Sequence, residues 1–267
     1  MKKTLTLLAI LAAIGPAWGA EVVSSNIVGY EKVQLSTGLN MIGVQFQQVG
    51  GEDLILANYG ALDPSMAGFD EDELFATEML LWTGNGYTTY GWSGTSGTDV
   101  YDDDSYDNQW LDANSMEPAD SVAAGASLGA WIRAEKSGTL TVSGEVPTAA
   151  TVEKSLTAGL NMIANPYPGD VTISKFGTLD ASMAGFDEDE LFATEMLVWT
   201  GNGYTTYGWS GTSGTDVYDD DSYDNQWLDA NSMEPATSVT VPFGHAVWIK
   251  AEKAGTITFK NPTSSAD

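Results

Sequence analysis

Short runs of alternating apolar and polar residues dominate the chain, each ended by Gly, Asn, Asp or Ser at spacings of roughly ten residues. The runs 27–35, 39–46, 78–83, 87–92, 108–112, 128–135 and 138–145 read as strands. The pair 78–83 and 87–92 flanks Gly84-Asn85-Gly86. Asn and Gly both tolerate positive φ, so this is a hairpin signal. One short helix per unit is expected where Asp70 caps, Glu73 stands three residues later, and Glu71 and Asp72 suit a positive helix start. Short strands without long helices predict an all-β fold with a sandwich or barrel-like unit.

The same pattern occurs twice. Residues 65–119 match 182–236 at an offset of 117 with one difference, Leu81 against Val198. The likeness extends outward in thinner form. Ala130-Trp131-Ile132-Arg133-Ala134-Glu135-Lys136 parallels Val247-Trp248-Ile249-Lys250-Ala251-Glu252-Lys253. Gly38-Leu39-Asn40-Met41-Ile42 parallels Gly159-Leu160-Asn161-Met162-Ile163 at an offset of 121, so copy one carries four more residues, placed near Val49-Gly50-Gly51. Two tandem units follow, 25–146 and 150–262, joined near Pro147. In the flanks apolar positions stay apolar while their polar neighbours change, as a packed face requires. The second copy can also complete the first, making one body with pseudo-twofold symmetry. Recent duplication accounts most simply for the near-identical block; a task that needs two copies is the alternative.

Composition narrows the function classes. Lys2 and Lys3, the apolar run Leu5–Ile14 and Ala17-Trp18-Gly19 form an export signal over residues 1–19. The apolar run is shorter than the roughly 20 residues of a membrane-spanning helix, and no later stretch is longer, so the mature chain is expected to lack a transmembrane segment. An exported location follows: extracellular, cell-surface or periplasmic. Net charge is −27, and 24 of the 37 acids sit in the two repeated blocks with no Lys, Arg or His among them. Such blocks repel phosphate backbones and anionic lipid, which argues against nucleic acid as a partner. Cysteine is absent, which removes disulfides, thiol nucleophiles and thiolate metal sites.

Val28-Gly29-Tyr30-Glu31-Lys32-Val33, Gly159-Leu160-Asn161-Met162-Ile163-Ala164-Asn165-Pro166, and Trp248-Ile249-Lys250 followed by Gly255-Thr256-Ile257-Thr258-Phe259 resemble motifs of uncharacterised exported bacterial β-repeat proteins. The resemblance covers most of both units and departs in copy one, where Gly43-Val44-Gln45-Phe46 replaces Ala164-Asn165-Pro166-Tyr167. It implies export and a repetitive β-fold, and no activity.

Two constellations carry candidate chemistry. Asp99, Asp102, Asp103, Asp104 and Asp107, repeated as Asp216, Asp219, Asp220, Asp221 and Asp224, crowd carboxylates into nine residues. A hard cation takes six to eight oxygens, so weak Ca²⁺ binding is expected. The spacing is not an EF-hand, because Asn108 and Asn114 stand where Gly and Glu belong. A solvated acidic loop is the alternative. The second constellation is aromatic: Trp82, Tyr87, Tyr90 and Trp92, with Trp199, Tyr204, Tyr207 and Trp209 in copy two. Alternation places Tyr87 and Tyr90 on opposite faces. Either Trp82 with Tyr87 or Tyr90 with Trp92 is therefore exposed and able to stack on a sugar, unless both sets are core.

Catalysis is disfavoured. The one histidine, His245, aligns with Leu128 of copy one, and no Gly-x-Ser-x-Gly elbow, Walker loop or dinucleotide fingerprint is present. The expected function is a secreted or cell-surface structural or adhesion-type binding module, whose partner is a surface component, a glycan or another copy. A carbohydrate-binding module is the first alternative, and a glycosidase with two carboxylates the second.

Overall fold

A computed structural model describes residues 28–68, 75–94, 106–124, 128–185, 192–211 and 223–263. The expected export signal and both copies of the expected helix lie outside them. Unit one contains β1 (Val28–Leu35), β2 (Gly38–Gly43), β3 (Ala61–Leu62), β4 (Thr77–Trp82), β5 (Tyr87–Trp92), β6 (Trp110–Asp112), β7 (Gly129–Ala134) and β8 (Gly138–Glu145). Unit two contains β9 (Thr151–Leu156), β10 (Gly159–Ala164), β11 (Val171–Thr172), β12 (Thr178–Leu179), β13 (Thr194–Trp199), β14 (Tyr204–Trp209), β15 (Trp227–Asp229), β16 (Thr240–Val241), β17 (Ala246–Ala251) and β18 (Gly255–Lys260). The fold is all-β, and the helical content among described residues is short 3₁₀ turns.

Each unit pairs a five-stranded antiparallel sheet with a three-stranded one. The orders are β2-β7-β4-β5-β6 with β1-β8-β3, and β10-β17-β13-β14-β15 with β12-β18-β9. In unit one Val33, Leu35, Leu140 and Val142 of the small sheet meet Met79, Tyr90, Trp92 and Ile132 of the large one. Unit two repeats this with Leu156, Ile257 and Phe259 against Met196, Tyr207, Trp209 and Ile249. Two faces buried against each other make a sandwich core, where each large apolar side chain contributes about 1.5–3 kcal/mol.

The hairpin joins β4 to β5 with Trp82 opposite Tyr87. Thr83 N donates to Gly86 O at 2.9 Å, and φ is positive at Gly84, +93°, rather than at Asn85 or Gly86. The left-handed residue is thus Gly84, one position before the Asn-Gly pair read from sequence.

The outer face of each large sheet is buried as well, against the other unit. Met41, Trp131, Met162, Ala164, Ala246 and Trp248 form a third core, flanked by Leu80, Trp82, Leu197 and Trp199. Its contacts are reciprocal. Trp82 meets Trp248 edge-on at 5.4 Å, and their counterparts Trp199 and Trp131 do the same at 5.3 Å. A backbone bridge between Ile42 and His245 is mirrored by one between Ile163 and Leu128. Contacts in which i meets j and j meets i mark a twofold arrangement. The units therefore pack as one pseudo-twofold body.

Glycine permits this packing. A Cβ on Gly43 would lie 2.3 Å from Ala164 Cβ, and one on Gly129 would lie 2.6 Å from Ala246 Cβ. Phe243 of unit two also reaches across, edge-on to Phe46 at 6.1 Å.

Candidate functional site

Six aromatic rings gather where the two large sheets meet. On β4 the side chains of Glu78, Leu80 and Trp82 share the face toward unit two, and Trp82 sits beside Tyr87 of β5. The rings of Trp82 and Tyr87 are 5.1 Å apart, and those of Trp199 and Tyr204 are also 5.1 Å apart. Trp131 and Trp248 are buried beneath, while Tyr87 and Tyr204 are each 45% exposed. Trp82 is half-buried, and its indole N–H donates to Leu160 O of unit two at 2.8 Å. Each exposed tyrosine thus stands beside a tryptophan that packs edge-on against a tryptophan of the opposite unit.

The two tyrosines lie within electrostatic reach of one another. Burial pushes the Tyr87 phenol above its ordinary value, the Trp131 indole N–H donating to it pulls it down, and the Tyr204 phenol pushes it up again. Two exposed phenols, each beside an indole ring, offer apolar ring faces to stack on and hydroxyls to hydrogen-bond. That combination suits an amphipathic ligand such as a sugar ring.

The other half of the aromatic set is corrected. Tyr90, Trp92, Tyr207 and Trp209 are 6%, 2%, 2% and 1% exposed and lie inside the sandwich cores. Positions 88, 90 and 92 face the three-stranded sheet, so these rings are closed to a surface ligand. The indole N–H groups of Trp92 and Trp209 are buried without hydrogen-bond partners among the described residues, so they serve as apolar mass.

Of the ten acids proposed as cation ligands, only Asp107 and Asp224 fall within the described residues. Asp99, Asp102, Asp103, Asp104, Asp216, Asp219, Asp220 and Asp221 lie outside them. Asp107 Oδ1 is buried without a hydrogen-bond partner among described residues. Buried carboxylate oxygens ordinarily have a partner, and an ion or water can supply it.

Ser93 and Ser210, fully buried, were not singled out from sequence. Ser93 Oγ accepts Gln109 N at 3.0 Å and donates to Tyr106 O, and Ser93 N donates to Gln109 O at 3.0 Å. Ser210 makes the same bonds to Gln226 and Tyr223. One hydroxyl thus ties together both ends of each acid-rich segment. The signal available was a serine repeated at the close of a β-prone run, which is too common to single out.

His245 is exposed, with its ring Nδ1 3.1 Å from Phe243 O. Its backbone makes the inter-unit bridge that Leu128 makes on the other side. Among the described residues no three His, Asp or Glu side chains gather in metal-ligand fashion, and none of the helices is long and apolar enough to span a membrane. Neither statement bears on residues outside the described ranges or on membrane β-barrels.

Comparison with protein-family models, curated proteins and solved structures finds no match to the chain. The functional reading therefore rests on these residues.

Proposed function

We propose that the chain is an exported, adhesion-type binding module that holds a surface carbohydrate on the aromatic cluster at the joint between its units. One observation carries this reading: Tyr87 and Tyr204, each 45% exposed, stand beside tryptophans that pack edge-on against the opposite unit. Exposed aromatics are costly to leave in water, and rings locked by packing lose little entropy on binding. The arrangement exists only when both units are present, which gives the duplication a use. The sequence features of residues 1–19 support export to the surface where such a ligand is found. Weak Ca²⁺ binding by the acid-rich segments belongs to the same proposal, and the orphan oxygen of Asp107 supports it.

The test is retention of purified protein on a glycan array and on insoluble polysaccharides. Stacking on one aromatic ring is worth about 0.5–1.5 kcal/mol beyond area burial. Tyr87→Ala combined with Tyr204→Ala should therefore weaken capture by roughly tenfold or more, measured below the melting temperature of the variant, because the change also removes the acceptor of the buried Trp131 indole N–H. Capture that is indifferent to this pair of changes would sink the reading. Release of reducing sugar would instead place the chain among glycosidases.

A further inference from the structure

We propose that unit two carries a second site, separate from the aromatic cluster, for a small hydroxylated carboxylate of the sugar-acid class. The site is a cavity of about 640 Å³ bounded by β11, β12, the end of β18 and the segment 165–170. That volume lies within the range of small-molecule pockets. One wall is built in advance. Asn165, 9% exposed, donates to Tyr167 O at 2.8 Å, and buried Tyr167 donates its hydroxyl to Ala149 O at 2.8 Å.

The charge of the lining is the first argument. In a chain with net charge −27 and only ten Lys and Arg, two of the lysines, Lys175 and Lys260, line this one cavity. Among the described residues Asp170 is the only acid that lines it, and its Oδ1 already accepts Phe243 N at 2.9 Å. Among the described residues that line it the cavity thus holds two lysines against one acid, on a strongly anionic protein. A carboxylate between two ammonium groups gains charge-assisted hydrogen bonds.

The second argument comes from the other unit. Unit one has a cavity of about 590 Å³ at the same place in its fold. The paired positions Thr178–Thr258 and Ala61–Thr141 establish the equivalence at an offset of 117. There Asn58 occupies the position of Lys175, and Ser143 that of Lys260. Ala57 and Ala61 stand where unit two has Ser174 and Thr178, while Gly60 and Gly177 are the same. None of the residues lining the unit-one cavity is charged. The scaffold is shared, and at each of these four changed positions unit two carries the more polar or the cationic side chain.

The third argument separates a sugar acid from a bare anion. Thr178 and Thr258 stand opposite each other in the β12–β18 ladder, and both line the cavity. Together with Ser174, Thr172 and the remaining carboxylate oxygen of Asp170 they match several hydroxyls spread around a ring, which acetate lacks and which phosphate, with its P–OH groups on the anionic centre itself, cannot present. Pro168, Val171 and Pro262 supply apolar surface for a ring.

The test is calorimetric and NMR titration of the full chain with sodium glucuronate, glucose and sodium phosphate at physiological ionic strength. The Debye length there is about 8 Å, so the distant acids are screened. Glucuronate should bind saturably, with glucose and phosphate each at least about tenfold weaker. Lys175→Met with Lys260→Met should weaken glucuronate by about tenfold or more, without change in melting temperature. Tyr87→Ala with Tyr204→Ala should leave it unaltered, so failure of this site and failure of the aromatic cluster are read separately. Absence of saturable glucuronate binding overturns the proposal. So does indifference to the lysine changes in a folded variant. Equal affinity for phosphate would reduce the site to a general anion patch, and equal affinity for glucose would remove any role for the lysines.

Discussion

Replacing Gly129 by Val tests the joint between the units, on which the aromatic cluster depends. A Cβ at this position meets Met162 Cγ at 2.4 Å and Ala246 Cβ at 2.6 Å. Met162 is flexible and can swing aside. Ala246 Cβ cannot, because it is attached directly to β17. Carbon atoms in contact prefer about 3.5–4.0 Å, so the two sheets must separate locally by about 1 Å, and the valine methyls add to that. Overpacking of this kind costs about 1–3 kcal/mol. For a chain of this size each kcal/mol moves the melting temperature by about 2–4 °C, so a fall of about 2–12 °C is expected. The half-buried indoles of Trp82 and Trp199 should become wetter, shifting tryptophan emission to the red, and polysaccharide capture should weaken with them. Gly86→Ala is the control, since its Cβ has nothing within 4 Å and its φ is not positive. If Gly129→Val melts with Gly86→Ala and its emission is unchanged, the two large sheets do not pack as described.

Other perturbations have equally definite outcomes. Glu31 on β1 is half-buried against unit two, where its Oε1 would lie 2.6 Å from a Cβ on Gly244. Burial, then the charge of Asp170, pushes its carboxyl from 4.5 up to about 7. Folding therefore favours the protonated form, and stability should fall as pH rises from about 4.5 through 7, by about 1 kcal/mol once solvent screening of a half-buried group is allowed for. Glu31→Gln should flatten this dependence in denaturant melts across that range; parallel profiles for the two proteins would refute the cause. Ser93→Ala and Ser210→Ala each remove the side-chain acceptor of a part-buried Gln main-chain N–H and should cost about 1 kcal/mol in urea unfolding; a neutral result would mean the hydroxyl does not tie the ends of the acid-rich segment together. If the acid-rich segments hold Ca²⁺, calcium at ten times its dissociation constant should add about 1.4 kcal/mol per site. That appears as a rise in melting temperature over EDTA at matched ionic strength, and is lost when Asp102, Asp103 and Asp104 and their second-copy partners become Asn; an equal rise with NaCl would indicate screening alone.

Strand positions were largely legible from local pattern. The runs read at 27–35, 78–83, 87–92 and 138–145 appear as β1, β4, β5 and β8 within a residue at either end. A period of two and a glycine turn act over neighbouring residues, so the sequence displays them directly. The two-residue strands β3, β11, β12 and β16 were not legible, because two residues hold no period. Burial was a different matter. Alternation placed Tyr87 and Tyr90 on opposite faces of β5 but did not say which was wet, since that depends on what each face meets. Tyr90 faces the small sheet of its own unit, while Tyr87 lies at the margin of the joint with the other. The joint also covers Trp131 and Trp248, on strands whose second face is already core. The cavity in unit two has the same origin: Lys175 and Lys260 are distant in sequence and share a wall only because β12 pairs with β18. Local chemistry determines where a chain extends and turns. Contacts between distant residues decide which faces meet water, and binding sites are made from those faces.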